Sequence, residues 1–247
     1  GRQGVFGSII HCEGGYHHDL RELVSTGKEC RSYRLNNYIY RNCENYPTHE
    51  MGPIAKLLHI NNGNRMLTLN SVSSAAVGLH EYCLSHREPN DPLRETQFLQ
   101  GDVVTTTIKC SGGQTITITL DTTLPRAYSR GFTVRGTKGM YAEDNDSIFI
   151  EGIHEKFDPT PEKLWGNAKE YEEQYQHHLW KDFKKTDDHG GIDTLVICAF
   201  IDAVKRGKRP PIDTYDTAVL MAITPLSEES ILKGGAPVVF PDFTGGR

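Results

Sequence analysis

The stretch that decides the fold is Val103–Leu120, which reads VVTTTIKCSGGQTITITL. Its two halves, 103–110 and 115–120, are rich in Thr, Ile and Val, and the four residues between them (SGGQ) form a turn sequence. This arrangement is typical of a β-hairpin. The alternation of threonine with isoleucine predicts that one face of the sheet is apolar and that the other is wet or covered by a partner. An antiparallel sheet is therefore expected at the centre of the fold.

Elements predicted on both sides of this hairpin extend the sheet and add helices. Apolar periodicity predicts further strands at 8–12, 65–71, 132–135, 139–142 and 147–151. It also predicts helices at 17–24, 52–60 and 192–204, from Pro159 through Trp180, and from near Asp213 or Asp216 onward. Residues 13–16 are predicted as a turn. The apolar phase of the last helix continues across Pro225, which predicts a kink rather than an end. Because no βαβ series repeats, the predicted fold class is α+β, with an open and mostly antiparallel sheet.

Composition excludes several classes of protein. The chain has 247 residues, 37% of them apolar, and a net charge of −5, which gives no general attraction to nucleic acid or anionic lipid. No apolar run reaches the roughly 18 residues of a membrane helix, and no signal peptide is visible. Six scattered cysteines without a CxxC pair argue against structural zinc and a disulfide scaffold. Since residue 1 is glycine, we expect the native N-terminus to have been removed, which leaves localisation open.

The richest chemistry lies in Glu44–Pro53, which reads ENYPTHEMGP. A phenol, an imidazole and carboxylates stand within a few residues, stiffened by Pro47 and Pro53. No glycine loop that could cradle a phosphate accompanies them, since Gly1–Gly7 lacks the GxGxxG spacing and a preceding strand. The sequence therefore predicts the substrate half of an enzyme whose cofactor half is absent.

The C-terminal run 198–213, CAFIDAVKRGKRPPID, resembles the closing segment of the Gfo/Idh/MocA oxidoreductases. The resemblance continues through 215–218 and 226–231. Proteins of this superfamily join an N-terminal Rossmann domain for NAD(P) to a C-terminal domain built on an open sheet. The resemblance implies that residues 1–247 form the substrate-binding, catalytic and oligomerisation domain alone, with helices on one face of the sheet. The NAD-binding Rossmann domain is then missing from the chain.

Four short motifs carry a narrower resemblance: EGGY at 13–16, HDLR at 18–21, YPTH at 46–49 and HGG at 189–191. They resemble glycoside hydrolase family 109, whose described activity is α-N-acetylgalactosaminidase. The resemblance implies a tightly bound NAD and cleavage by oxidation at C3 of the sugar, elimination, hydration and reduction. One position departs from the family, which commonly has Gly-Leu-Gly-Pro after the histidine. Here Glu50 follows His49, and a carboxylate beside an imidazole can change its pKa.

The resemblance implies Tyr16 and His49 as the acid/base pair. A free phenol has a pKa of about 10, so Tyr16 needs a nearby cation to act as a base, whereas an imidazole needs less help. Each residue also has a purely structural interpretation: Tyr16 could pack over the two glycines, and His49 could form a hydrogen bond with the backbone at the start of a helix. Four further side chains are predicted to bind the sugar: Arg34, Tyr46, Tyr128 and His189. For Arg34, Tyr46 and His189 the structural interpretations are a surface cation, a core aromatic and an exposed loop histidine.

The leading prediction is the substrate domain of an NAD-dependent glycosidase acting on N-acetylgalactosaminides or related glycosides. The alternatives are a sugar dehydrogenase of the same superfamily, and a binding or oligomerisation module without catalysis. We expect the isolated chain to be inactive, and we expect the open sheet to bind a second copy. The histidine pairs at 17–18 and 177–178 indicate no metal site, because adjacent histidines do not face one way on a helix. Glu13, Asp19 and Glu44 could supply the two carboxylates of an ordinary glycosidase.

Overall fold

The structure, a computed structural model, describes residues 4–155, 165–177, 180, 183 and 189–243. Within them the strands are β1 Ile9–His17, β2 Met66–Ser73, β3 Val103–Cys110, β4 Thr115–Asp121, β5 Thr133–Gly136, β6 Gly139–Ala142, β7 Ser147–Ile150 and β8 Val238–Val239. They form one sheet in the spatial order β7-β6-β5-β1-β4-β3-β2-β8. Neighbouring strands are antiparallel except β1 and β4, which run parallel. The predicted fold class is confirmed.

The helices of the described residues are α1 Arg21–Ser25, α2 Tyr33–Tyr40, α3 Thr48–Leu57, α4 Gly78–His86, α5 Lys169–Tyr175, α6 Ile192–Lys205, α7 Thr214–Met221 and α8 Ile223–Leu232. Single turns of 3₁₀-helix lie at Pro92–Arg94 and His189–Gly191. None of these helices combines the length and the apolarity that crossing a bilayer requires.

The predicted hairpin is confirmed by the pairing of β3 with β4 across residues 111–114. Ile108 lies opposite Ile116, and both side chains are fully buried. Thr107 lies opposite Thr117, and both remain partly exposed. Because successive side chains on a strand point to opposite faces, the sheet has one apolar face and one threonine-rich face.

Helices cover the apolar face of the sheet. Ile116, Ile118 and Leu120 alternate along β4 and so project from one side. Ile116 and Ile118 belong to a core cluster with residues of α3, α7 and α8. Leu120 belongs to a second cluster with residues of α1, α2 and α4. The helices of both clusters therefore lie on one face, as predicted.

Strand β1 is longer than the sequence predicts. Residues 13–16 continue the strand instead of forming a turn, and Gly15 lies opposite Thr119 of the parallel neighbour β4. Two glycines weaken the local strand signal, but neighbours on both sides of β1 supply the ladder that holds it extended. The helix predicted from His17 consequently begins later, at Arg21.

The helix predicted to continue across Pro225 is divided at Ala222 into α7 and α8. Ala222 joins the two helices with right-handed helical dihedral angles, φ −65° and ψ −21°. Pro225 has no N–H to offer the carbonyl group of Met221, so the hydrogen-bond ladder is interrupted there. Val219 and Ile223 from the two helices still bury in one cluster.

Helices α2 and α4 fall in stretches where the sequence predicts no element, and α3 begins at Thr48 rather than at Gly52. The start of α2 is fixed by Ser32, whose Oγ accepts a hydrogen bond from a backbone N–H in the first turn. These helices are short, and tertiary packing rather than local sequence determines where they form. Residues 159–164 and 178–179 of the helix predicted from Pro159 through Trp180 lie outside the described residues, and the described part of that stretch contains α5.

Candidate functional site

Three ring side chains meet where β1 ends and α3 begins. The ring centroids are 4.6 Å apart for Tyr16 and Tyr46, 4.6 Å for Tyr46 and His49, and 5.1 Å for Tyr16 and His49. Tyr16 is the penultimate residue of β1, and His49 lies in the first turn of α3. The structure thus brings both predicted acid/base residues and one predicted sugar-binding tyrosine together. We call these three side chains the ring cluster.

Gly14 sets how closely α3 approaches β1. A Cβ atom at this position would lie 3.2 Å from Ile54 Cδ1 and 3.3 Å from the carbonyl oxygen of Glu50, both in α3. Only a residue without a side chain therefore accepts this helix–strand distance without adjustment. This close packing places the His49 side chain next to the ring of Tyr16.

Arg34 projects from the first turn of α2 onto the ring cluster. Its Cζ lies 4.8 Å from the ring centroid of Tyr46 and 5.1 Å from that of Tyr33, which are cation–π distances. The helix cap at Ser32 fixes the backbone at this point. The guanidinium also acts on Tyr16, whose pKa it lowers against the larger, opposite effect of burial.

Tyr128 is linked to the ring cluster through His18. The ring centroid of His18 lies 5.2 Å from that of Tyr128 and 5.7 Å from that of Tyr16. Tyr16 Oη and His18 Nδ1 are 3.3 Å apart. Arg130 Nε donates a hydrogen bond of 3.1 Å to Tyr128 Oη. Because 53% of Tyr128 is exposed, its side chain is accessible to a ligand.

His189 lies at the edge of the site, before α6. Its Nδ1 is 2.7 Å from Asp193 Oδ2. Burial, Arg130 and Arg34 lower the pKa of His49 most, and His189 adds a smaller electrostatic effect, so the two imidazoles are within electrostatic range. His189, Gly190 and Gly191 all have positive φ angles, of 41°, 65° and 89°. The two glycines therefore make the left-handed turn that starts α6.

Burial and charge give the phenol and the imidazole different protonation states at neutral pH. Burial raises the pKa of Tyr16 above its ordinary 10.0 despite Arg34, so the phenol keeps its proton. Burial and the charges of Arg130, Arg34 and His189 lower the pKa of His49 below 6.5, so the imidazole is neutral. The arrangement therefore favours His49 as a proton acceptor and Tyr16 as a proton donor.

Two depressions open beside His49. The smaller has a volume of about 210 Å³, and the larger is an open cleft of about 1610 Å³. His49 and Arg130 line both, and the cleft extends between α3 and the aromatic residues Tyr171 and Tyr175 of α5. Ligand pockets in proteins typically span about 300–1,000 Å³. The cleft therefore has room for a sugar with its leaving group.

Three side chains of the site, His18, Arg130 and Glu50, are not among the predicted residues. Two of them carry a signal, because His18 and Arg130 each stand two positions after a predicted tyrosine, the spacing that keeps side chains on one side of an extended chain. Glu50 enters the sequence analysis only as a neighbour of the imidazole. An acidic residue in the first turn of a helix is ordinarily exposed, so its complete burial has no sequence signal.

The glycine pair in β1 makes no cradle for the pyrophosphate of NAD. Gly14 and Gly15 stand beside Tyr16, but they lie within a strand rather than before a helix. A Cβ at Gly15 would overlap the His17 ring, and one at Gly14 would meet Ile54, so the protein's own atoms fill both approaches. Among the described residues, no three His, Cys, Asp or Glu side chains lie together in a way that could hold a metal ion.

The fold is shared with solved structures of dehydrogenases. It is similar to levoglucosan dehydrogenase in complex with NADH and levoglucosan, with a TM-score of 0.65 and 18% identity over 98% of this chain and 61% of that one. It is also similar to an inositol dehydrogenase homolog complexed with NAD⁺ from Azotobacter vinelandii, with a TM-score of 0.60 and 15% identity over 97% and 60% of the two chains. At these identities the likeness shows the fold alone, which is that of the Gfo/Idh/MocA oxidoreductases.

Sequence similarity gives the family. Residues 1–247 match the family model described as Glycosyl hydrolase 109, C-terminal domain. The chain is 40% identical to a glycosyl hydrolase family 109 protein of Parabacteroides distasonis and 39% identical to an alpha-N-acetylgalactosaminidase of Tannerella forsythia, in each case over 100% of this chain. The chain belongs to glycosyl hydrolase family 109. It spans 56% of the length of these two relatives.

Proposed function

We propose that this chain is the substrate-binding and catalytic domain of an NAD-dependent glycosidase that acts on N-acetylgalactosaminides or related glycosides. One observation carries the proposal: a neutral imidazole and a protonated phenol lie in one ring cluster beside an open cleft. The family membership and the described activity of the Tannerella forsythia relative support the choice of substrate.

The proposed chemistry divides between the cofactor and this chain. If a separate domain holds NAD, the cofactor would supply a reversible hydride transfer, through which the sugar would gain a ketone at C3 and later lose it. The ketone acidifies the proton at C2, and the neutral His49 accepts that proton while the bond from C1 to the leaving oxygen breaks. Tyr16 donates its proton to this oxygen. Each such acid or base contributes about 10²–10⁴-fold to the rate.

The same two groups complete the hydration. The Tyr16 phenolate takes a proton from the water that adds to C1, and the imidazolium of His49 returns its proton to C2. Both residues thereby regain their starting states. Burial costs the phenolate stability, and Arg34 offsets part of that cost because its guanidinium acts on the phenol.

Four side chains are proposed to hold the sugar. Arg34 can donate several N–H groups to hydroxyl or N-acetyl oxygens, and it is held over the ring of Tyr46. Tyr46 offers a ring face to the apolar side of the sugar. Tyr128 and His189 stand at the exposed rim of the site, where they can contact the outer part of the substrate.

A second copy of the chain is proposed to cover the threonine-rich face. Thr107 and Thr117 lie near the middle of this face and are only partly exposed. The helices of both core clusters pack on the opposite side. A partly exposed sheet face on the side away from these helices suits an isologous contact between identical chains.

A sugar dehydrogenase is the second candidate. The neutral His49 that could accept a proton from C2 could equally accept the proton of a hydroxyl group from whose carbon a hydride leaves. In that case the nicotinamide exchanges with solution after each turnover. A binding or oligomerisation module is the third possibility.

The test uses this chain joined to an NAD-binding domain, with a chromogenic α-N-acetylgalactosaminide and no added NAD. We expect release of the chromophore, loss of release in His49→Ala, and normal release in His86→Ala, an exposed histidine at the end of α4. If no chromophore is released but added NAD is reduced with free sugars, the dehydrogenase is correct. Folded protein that is silent in both assays supports the binding module.

A further inference from the structure

Glu44 and Glu50 form a buried carboxyl pair beneath the ring cluster. Their exposed fractions are 0% and 1%. Glu44 stands two residues before Tyr46, and Glu50 directly follows His49, so the two acids bracket the site segment 44–50. The backbone N–H of Glu44 donates a hydrogen bond of 2.8 Å to Ser227 Oγ in α8, which ties the start of the segment to the core.

Hydrogen-bond donors for these carboxyl groups are scarce. Glu44 Oε1 accepts a hydrogen bond of 3.1 Å from the backbone N–H of Tyr46. Glu44 Oε2 and both carboxyl oxygens of Glu50 are buried without a well-aligned donor among the described residues. The two carboxyl groups are close enough for each to affect the pKa of the other. Two ionised carboxylates in such a place would repel each other and lack solvation, whereas a proton between them removes both problems.

The elements packed around the pair bring no compensating cation. Tyr38 in α2 and Cys43 are buried, and burial raises the pKa of both, so they stay neutral. Glu228 in α8 is paired with Arg41 at 2.6 Å. The backbone of Thr119 in β4 lowers the pKa of Glu50, but burial and Glu44 raise this pKa by more. Within the described residues, no arginine, lysine or histidine is among the groups that set the pKa of either carboxyl.

We propose that Glu44 and Glu50 share one proton and act as a positioning pair. With the proton in place, the pair holds residues 44–50 against β1 and α8; as pH rises and the proton is lost, repulsion loosens the segment that carries Tyr46 and His49. The effect of this loosening on catalysis rests on the proposed function, but the shared proton itself does not.

The sign of the pH dependence follows from linkage. Burial raises the pKa of Glu44 to about 7 and that of Glu50 well above its usual range. A carboxyl with a raised pKa favours the folded state fully below the unfolded value of about 4.3 and progressively less as pH rises through the folded value. For each extra proton that the folded state holds, the folding equilibrium constant falls about tenfold per pH unit in this window.

Glu50→Gln removes the need for the proton without changing the shape of the side chain. The amide can donate a hydrogen bond to an ionised Glu44, and one of the two buried carboxyl groups is gone, so the folded state binds fewer extra protons than the wild type. The matched control is Glu81→Gln, at an exposed glutamate in α4. We expect the urea concentration at the unfolding midpoint of the wild-type chain to decrease as the pH is raised from about 5 to about 8. The midpoint of Glu50→Gln should decrease much less over the same range.

Infrared spectroscopy and hydrogen exchange test the proton and the loosening separately. At neutral pH the wild-type chain should show the carbonyl band of a protonated carboxyl group, which Glu50→Gln loses and Glu81→Gln keeps. Exchange of the Tyr46 amide, corrected for its intrinsic pH dependence, should accelerate with rising pH in the wild type alone.

A wild-type chain without the protonated band overturns the proposal, as does a Glu50→Gln midpoint that falls in parallel with the wild type. If Glu50→Gln fails to fold, the infrared spectrum and the hydrogen-exchange profile of the wild-type chain still test the proposal. None of these readouts uses activity, so failure of the glycosidase proposal leaves them unaffected.

Discussion

At the residue scale, the surroundings of Tyr16 and His49 act on the two side chains differently, which suits them to the proposed roles of acid and base. Burial stabilises the uncharged form of each side chain: it keeps the phenol protonated and the imidazole free of its second proton. The positive charges of Arg34 and Arg130 add to this effect at the imidazole. A donor and an acceptor thus stand 5.1 Å apart, centroid to centroid, at neutral pH.

Replacing Tyr16 by phenylalanine removes the proposed acid and keeps the ring packing. We expect kcat to fall by about 10²–10⁴-fold for a substrate with a poor leaving group. The loss should be much smaller for a leaving group that needs no protonation. Steady-state kinetics with two aryl glycosides measure the difference, with Tyr33→Phe as the control. Equal losses with both substrates would contradict the role of acid.

The pH profile should report His49 on its acid limb. Because the base must be neutral and its pKa is lowered, kcat/KM should rise with pH through an inflection below 6.5 and then level off. Arg130→Met removes one of the charges that lower this pKa, so the inflection should move upward toward 6.5. An inflection that stays in place, or that moves downward, would show that another group is titrating.

At the element scale, the contact between β1 and α3 assembles the site, and Gly14 is its tightest point. A Cβ there would lie 3.2–3.3 Å from atoms of Ile54 and Glu50. Gly14→Ala should therefore destabilise the chain by about 1–3 kcal/mol. Gly52→Ala in α3 is the matched control, because its Cβ would meet no atom within 4 Å. It should stabilise by about 0.5–1 kcal/mol.

Urea unfolding of the two alanine variants measures both effects. A Gly14→Ala variant as stable as the wild type would mean that α3 can move away from β1 without cost. In that case the position of His49 beside Tyr16 would have to depend on other contacts.

Elements with a strong local pattern were predictable, and elements made by tertiary packing were not. The alternation in Val103–Leu120 specifies its hairpin by itself. Helix α2 contains two asparagines and forms because Leu35 and Tyr38 bury against its neighbours. The site follows the same division: the motif around His49 is visible in the sequence. Its contact with Tyr16 depends on a helix–strand distance that only the folded chain fixes.

At the scale of the whole molecule, the threonine-rich face is the surface that the proposed oligomer would bury. Thr117→Arg places a charge near the middle of this face, so it should dissociate the oligomer while leaving the fold intact, because the side chain is partly exposed. Light scattering measures the mass and circular dichroism the fold, with Glu81→Arg on α4 as the control. A wild-type chain that is already monomeric would contradict the proposed contact.

The most direct test of the central claim is to run the cleavage in D₂O with the enzyme that contains this chain and bound NAD. Removal and return of the C2 proton through His49 predicts deuterium at C2 of the released sugar, which NMR detects directly. Released sugar that keeps its original hydrogen at C2 would contradict the account, because direct displacement at C1 does not break that bond.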